Sequence, residues 1–314
     1  TIYRLTPGTT YYVRVQAYIY SSKGNTCGEY SDPIQVVTAP TAVTGLIQSD
    51  ATTNSVTLAW NAAPGANTYI VKDSNDVVLA TSNTPSVVVP NLYPGFYSPL
   101  YVTPAVVTGT TTVEGSGSER VWVKTLPAKM TEGTYGISNV WSALKEINFS
   151  STRPSGADGV DVVVYTIKGN KKIFSTDTSG SYFKYNAYRK KGLKYRARAY
   201  VEINGVKKYG AWSSYHYFSV ASIEGRGGSR KIRATWNKVD CATKYKVYIS
   251  TAEKTGYKKV KTVGKNTNSI TITKYGKKKL KSGKTYYVRV VPVLKSGKKS
   301  YSSEVYSVVY GSVR

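Results

Sequence analysis

Apolar and polar side chains alternate along much of the chain with the two-residue period of a β-strand that buries one face. The clearest case is LKSGKTYYVRV, from Leu280 to Val290, where Tyr286, Val288 and Val290 alternate with other residues after a Ser-Gly turn signal. Leucine, methionine and alanine do not recur for long at a helical period. The pattern therefore predicts an all-β protein built from short strands.

Something close to this stretch occurs four times, and LTPGTTYYVRV near the start of the chain is the nearest copy. The copies centre on Gly8, Gly95, Gly192 and Gly283, which are separated by 87, 97 and 91 residues. A repeat of about 90 residues has the size of a domain. We predict the C-terminal part of a module at 1–39, a module at 40–127, a divergent module at 128–220 and a basic module at 221–314.

The first repeat holds too few strands to bury a core of its own. We expect its other strands either to have been cut away or to be supplied by another chain. The short connections between repeats predict an elongated, semi-rigid array.

Individual strands follow from the same alternation. We predict single strands at Tyr11–Tyr18, Leu193–Ile203 and Lys231–Trp236. Asn204-Gly205 is a hairpin tip, because this dipeptide favours tight turns between strands. GRGG, from Gly225 to Gly228, lacks the strand-then-helix context of a phosphate loop and is interpreted as a flexible turn.

Two spacings recur between repeats. Trp60 and Trp236 are each followed by Asn and, nine positions after the Trp, by Tyr69 and Tyr245. An aromatic-Ser pair precedes the last strand of three repeats, at Tyr30-Ser31, Trp212-Ser213 and Tyr301-Ser302. Together with the Leu-x-x-Gly-x-x-Tyr corner, this set resembles fibronectin type III modules over nearly the whole chain.

The resemblance implies tandem Ig-like sandwiches of two antiparallel sheets, with the recurring Trp and Tyr in each core. Phe149 is expected to replace the Trp in the third repeat. In the second repeat Ser98 stands where the corner Tyr should be, so Tyr97 or Tyr101 is expected to take its role. The lysine-rich and tyrosine-rich style of the fourth repeat resembles modules of Gram-positive bacterial surface proteins.

Charge separates the two halves of the chain. The net charge is +27, yet the first 126 residues hold six Lys and Arg against seven Asp and Glu. An excess of this size exceeds what solubility requires and favours an anionic polymer as partner, although a solvated basic surface stays open as the alternative. The candidate polyanion-binding residues lie in equivalent loops of the third and fourth repeats: Arg189, Lys190, Lys191, Lys194, Lys207, Lys208, Lys277, Lys278, Lys279, Lys281, Lys284, Lys295, Lys298 and Lys299.

Catalytic, cofactor and metal motifs are not recognisable in the sequence. His216 is the only histidine and is interpreted as a structural or surface residue, while Cys27 and Cys241 lie in different repeats and are expected to stay unpaired. No apolar stretch is long enough to insert in a membrane, and no motif for sequence-specific nucleic-acid binding is present. Trp122, Trp141 and Trp212 are candidates for stacking on sugars, although Trp212 is expected at the edge of a core.

These observations predict a non-catalytic, extracellular stalk and adhesion region of a bacterial surface protein, whose basic C-terminal modules bind an anionic cell-wall polymer or host glycan. Two alternatives stay open. One is a structural subunit of a surface filament or phage tail, in which another protein subunit completes the first module. The other is a set of accessory modules of a secreted glycan-degrading enzyme.

Overall fold

The computed structural model describes residues 2–24, 26–131, 135–141, 146–177, 182–184, 186–219, 222–304 and 307–313. Among these residues the one helical element is a short 3₁₀ turn at Asn186–Tyr188, so the all-β prediction is confirmed. The chain forms two compact units. The first contains Thr1–Ala128, Pro154–Asp158 and Tyr200–Gly210, and the second contains Lys129–Arg153, Gly159–Ala199 and Ala211–Arg314.

The first repeat contributes two antiparallel strand pairs. Its strands are β1 (Thr10–Val13), β2 (Gln16–Ile19), β3 (Thr26–Tyr30) and β4 (Ile34–Val37), with β1 paired to β4 and β2 to β3. The prediction of one strand over Tyr11–Tyr18 is wrong. Val15 lies at the break and exchanges two hydrogen bonds with Ser31, one to its hydroxyl (3.1 Å) and one from its N–H (2.9 Å). Ser118 and Ser213 bind Val102 and Ala197 in the same way within continuous strands, so these bonds do not cause the break.

The second repeat folds as two sheets. One has the order β5-β6-β9, and in the other β8, β7 and β10 are neighbours while β11 and β12 both pair with β10. The strands are β5 (Thr44–Ala51), β6 (Val56–Asn61), β7 (Thr68–Asp73), β8 (Val78–Ser82), β9 (Ser86–Val89), β10 (Tyr97–Thr108), β11 (Thr111–Glu114) and β12 (Val121–Lys124).

The third repeat has the same strand order. Its strands are β13 (Tyr135–Trp141), β14 (Glu146–Ser151), β15 (Gly159–Thr166), β16 (Lys172–Thr176), β17 (Tyr182–Lys184), β18 (Leu193–Ile203), β19 (Val206–Tyr209) and β20 (His216–Phe218). They form the sheets β13-β14-β17 and β16-β15-β18, with β19 and β20 paired to β18. The predicted strand Leu193–Ile203 and its hairpin tip are confirmed, and Asn204 and Gly205 both adopt the positive φ of a tight hairpin turn, 51° and 75°.

The fourth repeat completes the pattern with the sheets β21-β22-β25 and β24-β23-β28, the second extended by β29 and β30 on β28. A small hairpin, β26-β27, precedes β28. The strands are β21 (Ile223–Gly228), β22 (Lys231–Trp236), β23 (Ala242–Ser250), β24 (Lys258–Gly264), β25 (Ser269–Ile272), β26 (Lys274–Tyr275), β27 (Lys278–Lys279), β28 (Thr285–Ser296), β29 (Lys299–Ser302) and β30 (Ser307–Ser312).

The glycine-rich GRGG segment is a strand, and its interpretation as a flexible turn is wrong. It forms the end of β21, which pairs with β22. A methyl group on Gly227 would lie 1.8 Å from the carbonyl oxygen of Ser312, and one on Gly225 would lie 2.8 Å from a methyl carbon of Val309. The glycines therefore allow β21 to pass close to β30, where a larger side chain would collide.

Each of the last three repeats is thus a sandwich in which strands one, two and five face strands four, three, six and seven, the order of a fibronectin type III module. The predicted core residues are buried. Trp60 packs against Tyr69 with ring centroids 5.3 Å apart, and Trp236 packs against Tyr245 at 5.5 Å. Phe149 occupies the corresponding core position in the third repeat, as predicted.

The corner of the second repeat differs from the prediction. Tyr97 and Tyr101 alternate with buried residues on β10 and neither closes the corner. The hydroxyl of Thr125 accepts the Phe96 N–H at 2.9 Å and donates to the Tyr93 carbonyl at 2.8 Å. Thr38 makes the same two bonds in the first repeat, beside the tyrosine, so this threonine is a shared feature of the two corners and does not replace the tyrosine hydroxyl.

Candidate anion-binding surface

The structure separates the fourteen predicted basic residues into four groups. We call them the junction group (Arg189, Lys190, Lys191 and Lys194), the tip group (Lys207 and Lys208), the corner group (Lys277, Lys278, Lys279, Lys281 and Lys284) and the hairpin group (Lys295, Lys298 and Lys299). The first two groups belong to the third repeat and the last two to the fourth. The groups differ in how far their charges are already used inside the chain.

The junction group is engaged with the fourth repeat. The Lys191 ammonium forms an ion pair with Asp240 at 3.3 Å, and the Lys190 carbonyl accepts the Asp240 N–H at 2.9 Å. The Arg189 carbonyl accepts a hydrogen bond from the Asn237 side chain at 2.7 Å. Lys194 lies with its Nζ 4.3 Å from the centre of the Tyr215 ring. The contacts of Arg189, Lys190 and Lys191 hold the third and fourth repeats together, but only Lys191 uses its side-chain charge in them, and the Lys190 side chain is exposed.

The tip group is also engaged. Lys208 forms an ion pair with Asp50 at 3.2 Å, and the Nζ of Lys207 lies 4.3 Å from the centre of the Tyr200 ring. Beside them, the Asn204 side chain donates to the carbonyl of buried Gln48 at 2.8 Å. The hairpin that carries these lysines is therefore packed on the second repeat.

The hairpin group is exposed and borders a cleft of about 500 Å³. Lys295 lines this cleft together with Lys168 of the third repeat and Lys265 of the fourth, and the one acid in the lining is Asp240. Burial raises the pKa of Cys241, at the cleft floor, to about 12, and the nearby Asp240 charge adds to the shift. The thiol therefore stays protonated, and lysine ammonium groups dominate the charge of the cleft.

Sequence reasoning missed Lys168 and Lys265. Neither lies in a run of basic residues comparable with the corner. Each belongs to the turn after a third or fourth strand, and only the packing of the third repeat on the fourth brings both to the cleft. Knowledge of that junction, rather than of local charge, would have been needed to find them.

The corner group lies at the opposite end of β28 from the hairpin group. All five side chains are exposed, and among the described residues none forms an ion pair. Lys284 precedes the strand and Lys295 lies near its end, so the two groups are separated by roughly 35 Å at the rise of an extended strand. They are two separate basic surfaces.

The tryptophan candidates have different surroundings. Trp122 is 57% exposed and lies beside Tyr97, with ring centroids 4.7 Å apart. Trp212 is half-buried between two guanidinium groups, those of Arg196 at 4.3 Å and Arg198 at 4.2 Å, and these cation–π contacts occupy its faces. The side chain of Trp141 lies outside the described residues.

His216 serves a contact between repeats. Its Nδ1 hydrogen-bonds the carboxylate of Glu304 in the fourth repeat, and the Tyr195 hydroxyl donates to the same carboxylate at 2.8 Å. Next to it, Tyr217 and Tyr301 stack with ring centroids 3.7 Å apart. Among the described residues no group of three His, Cys, Asp or Glu side chains could hold a metal ion.

Cys27 and Cys241 are both free thiols, as predicted.

No protein-family model matches the chain, and no curated protein sequence matches it. Among solved structures, the chain is similar to the chicken CNTN1 FN1–FN3 domains at 14% identity, covering 86% of this chain and 99% of that one with a TM-score of 0.28. It is also similar to a two-domain fibronectin type III segment of chicken tenascin at 14% identity, covering 56% of this chain and 98% of that one with a TM-score of 0.29.

Proposed function

We propose that this chain is a non-catalytic stalk and adhesion region of an extracellular bacterial surface protein, and that its fourth repeat binds an anionic polymer at the hairpin group and the adjoining cleft. The observation that carries the proposal is the cluster of Lys168, Lys265 and Lys295 around one cleft, with Lys298 and Lys299 exposed beside it. Lysine ammonium groups are mobile point charges that suit phosphate, sulfate or carboxylate groups along a flexible chain.

The balance of charge around the cleft supports this choice. Between residues 222 and 304 the acids are Glu224, Asp240, Glu253 and Glu304, of which Asp240 and Glu304 already bind groups of the third repeat. The cleft lysines therefore have few carboxylates nearby to neutralise them.

In the part of the chain that the structure describes, no helical segment could span a bilayer.

The test measures binding of the full chain to labelled heparin, poly(glycerol phosphate) and polyglutamate at about 50 and 200 mM salt. A hairpin variant changes Lys168, Lys265, Lys295, Lys298 and Lys299 to Gln, and a matched corner variant changes Lys277, Lys278, Lys279, Lys281 and Lys284 to Gln. Both remove the same charge. Each lysine that contacts the polymer contributes about one unit to the slope of log affinity against log salt.

We expect the hairpin variant to lower this slope by about three to five units and the corner variant to lower it by less than about one. Equal losses in the two variants would mean that net charge alone attracts the polymer. If the unmodified chain binds none of the three polymers at the lower salt, the polymer proposal fails and the positive charge serves solubility.

A second candidate function, a structural subunit of a surface filament or phage tail, is favoured by the first repeat. Tyr12, Tyr18, Ile19 and Ile34 are each at least 66% exposed on its strands. Apolar side chains in such numbers commonly mark a surface that another protein element covers. Analytical ultracentrifugation of the full chain tests this candidate: concentration-dependent assembly supports it, and a single monomeric species over the accessible range counts against it.

A further inference from the structure

The corner glycines of the first two repeats touch the repeat that follows each of them. A methyl group on Gly8 would lie 2.0 Å from the carbonyl oxygen of Gly65, and a methyl group on Gly95 would lie 2.1 Å from that of Ser155. Both distances are far below van der Waals contact. Only a residue without a side chain therefore allows these two backbones to approach.

The corner of the third repeat is also filled, although Gly192 lacks the positive φ of Gly8 and Gly95 and meets a side chain instead of a backbone carbonyl. A methyl group on Gly192 would lie 1.9 Å from the Cys241 sulfur. All three contacted loops occupy the same place in the sandwich, between the second and third strands: β6 and β7, β14 and β15, and β22 and β23. The junction is thus a repeated device, in which a corner glycine receives the second-to-third-strand loop of another sandwich.

Charge complements shape at the third corner. The Asp240 carboxylate accepts the Gly192 N–H at 3.0 Å and forms its ion pair with Lys191, while the Asp240 N–H donates to the Lys190 carbonyl. A basic corner therefore holds the aspartate of this loop, which also contains Lys238, through both backbone and side-chain contacts. Charge-assisted hydrogen bonds of this kind are stronger than those between neutral groups.

The fourth corner has the backbone geometry of the first two corners, and among the described residues it has no occupant. Gly283 has a φ of +75°, close to the +65° of Gly8, and the place of its missing Cβ has no other atom within 4 Å. Its N–H donates to the Val313 carbonyl at 2.9 Å, as the Gly8 N–H donates to the Thr38 carbonyl at 3.1 Å. The corner is already formed; the exposed Lys281 and Lys284 lie on either side of Gly283 in the sequence, and the exposed Lys277, Lys278 and Lys279 precede them.

We propose that the Gly283 corner is a docking site for the acidic second-to-third-strand loop of a further sandwich module. The occupant carries a carboxylate near the position of Asp240, because Lys281 and Lys284 lie on either side of the corner, with Ser282 in the place of Lys191. The chain's own loops cannot serve, since those at Gly65, Ser155 and Asp240 already fill corners. This proposal is independent of polymer binding, which we assign to the other end of β28.

Disulfide trapping provides the test. The Cβ position of Gly192 lies 3.6 Å from the Cys241 Cβ, a separation that a disulfide can span. The test protein is the full chain extended after Arg314 by a second copy of residues 221–314. In the original chain Gly283 is changed to Cys, and Cys27 and Cys241 are changed to Ser. The appended copy keeps its own Cys241 and its own Gly283. Two thiols then remain, one at the fourth corner and one in the loop of the appended copy.

We expect mild oxidation to link these thiols as completely as it links Gly192→Cys to Cys241 in the unextended chain, which is the positive control. In the extended chain, Lys298→Cys in place of Gly283→Cys puts the thiol at the other end of β28 and measures linking by proximity alone. Asp240→Lys in the appended copy should slow trapping by about tenfold or more, because like charges then meet.

Fluorescence of Trp236 in the appended copy, read against the unextended chain, reports whether that copy is folded. A folded copy that does not link above the proximity control overturns the proposal. If Asp240→Lys leaves the rate of disulfide formation unchanged, the carboxylate of the loop does not contribute to docking. If the corner variant of the unextended chain loses polymer binding while the extended chain fails to link, the corner group belongs to a polymer site instead.

Discussion

The first and fourth repeats carry nearly the same eleven residues in two different surroundings. LTPGTTYYVRV and LKSGKTYYVRV both form the corner, and in both the tyrosine hydroxyl accepts a backbone N–H from five residues earlier: Tyr11 from Thr6 at 2.9 Å, Tyr286 from Lys281 at 3.1 Å. After the corner they differ. The fourth repeat continues as one strand of twelve residues, β28, whereas the first is divided into β1 and β2.

Neighbouring strands account for the difference. In the fourth repeat β23 and β30 pair along both edges of β28, and Tyr286 is 3% exposed in a core that includes Trp236 and Tyr245. In the first repeat β1 pairs with β4 over four residues, and the equivalent tyrosine, Tyr11, is only half-buried. The corner is thus encoded locally, while the continuity of the strand comes from its partners.

Removing the corner tyrosine should give the largest difference in stability between the two repeats. Tyr286→Ala deletes a buried ring and should cost about 3–5 kcal/mol of local stability, as for other large-to-small aromatic changes. Tyr11→Ala removes a partly exposed ring and should change protection of β1 little. Hydrogen exchange of the full chain, followed in peptides from β28 and β1, measures both. Similar losses of protection in both repeats would contradict the comparison.

Adding a methyl group to the corner glycine should destabilise the first repeat more than the fourth, the reverse of the order expected for the tyrosine. Gly283→Ala places the methyl group in open space and costs only the strain of its positive φ, about 1–2 kcal/mol. Gly8→Ala has the same strain and also collides with the Gly65 carbonyl, so it should cost more and loosen the loop around Gly65. Thermal unfolding and exchange near residue 65 report the result, and an equal effect of both changes would argue against close packing at Gly8.

A smaller change isolates the hydroxyl. Tyr286→Phe keeps the ring and removes the acceptor of the Lys281 N–H, so we expect a loss of about 1 kcal/mol, typical of one hydrogen bond. Tyr11→Phe should give no measurable loss, because water replaces the hydroxyl at the exposed corner. Exchange of the Lys281 and Thr6 amides measures each bond directly, and unchanged exchange at Lys281 would show that the bond is not formed.

Tyrosine ionisation should show the smallest difference. Hydrogen bonds from Thr6 lower the pKa of exposed Tyr11, whereas burial raises the pKa of Tyr245 above 10. The contribution of Tyr245 to stability is therefore complete below pH 10 and declines as the pH rises from 10 toward its raised pKa. For Tyr11 the sign is opposite, and its contribution declines as the pH falls through the lowered pKa.

Ultraviolet titration of tyrosinate compares the two groups. Tyr11→Phe should remove an early step of the curve, and Tyr245→Phe a late one. If both substitutions remove signal at the same pH, the two hydroxyls do not differ in environment.

Much of the fold could be predicted because its strands alternate regularly. Lys231–Trp236 and Leu193–Ile203 are strands with the predicted bounds, and Trp60, Trp236 and Phe149 lie in cores as predicted. In each case the signal is local: a period of two, or an aromatic residue at fixed spacing from a turn.

The errors have a common physical cause, which is a partner distant in sequence. The predicted strand Tyr11–Tyr18 is divided into β1 and β2, whereas β28 is continuous because β23, some forty residues earlier in the chain, pairs along it. GRGG pairs with β22 as a strand, and its glycines are required because β30, some eighty residues later, packs against it. The assignment of Lys191 and Lys208 to a polymer site stays a prediction, and their contacts with Asp240 and Asp50, which no local pattern indicates, appear only where repeats meet. Local patterns predict elements, and junctions decide which charges remain available.

The most direct test of the account is lysine acetylation of the full chain with and without heparin at about 50 mM salt, read by mass spectrometry. We expect heparin to protect Lys168, Lys265, Lys295, Lys298 and Lys299 and to leave Lys277, Lys278, Lys279, Lys281 and Lys284 as reactive as in the free chain. Protection centred on the second set, or spread equally over both, would contradict the assignment of the hairpin group and its cleft as the polymer-binding surface.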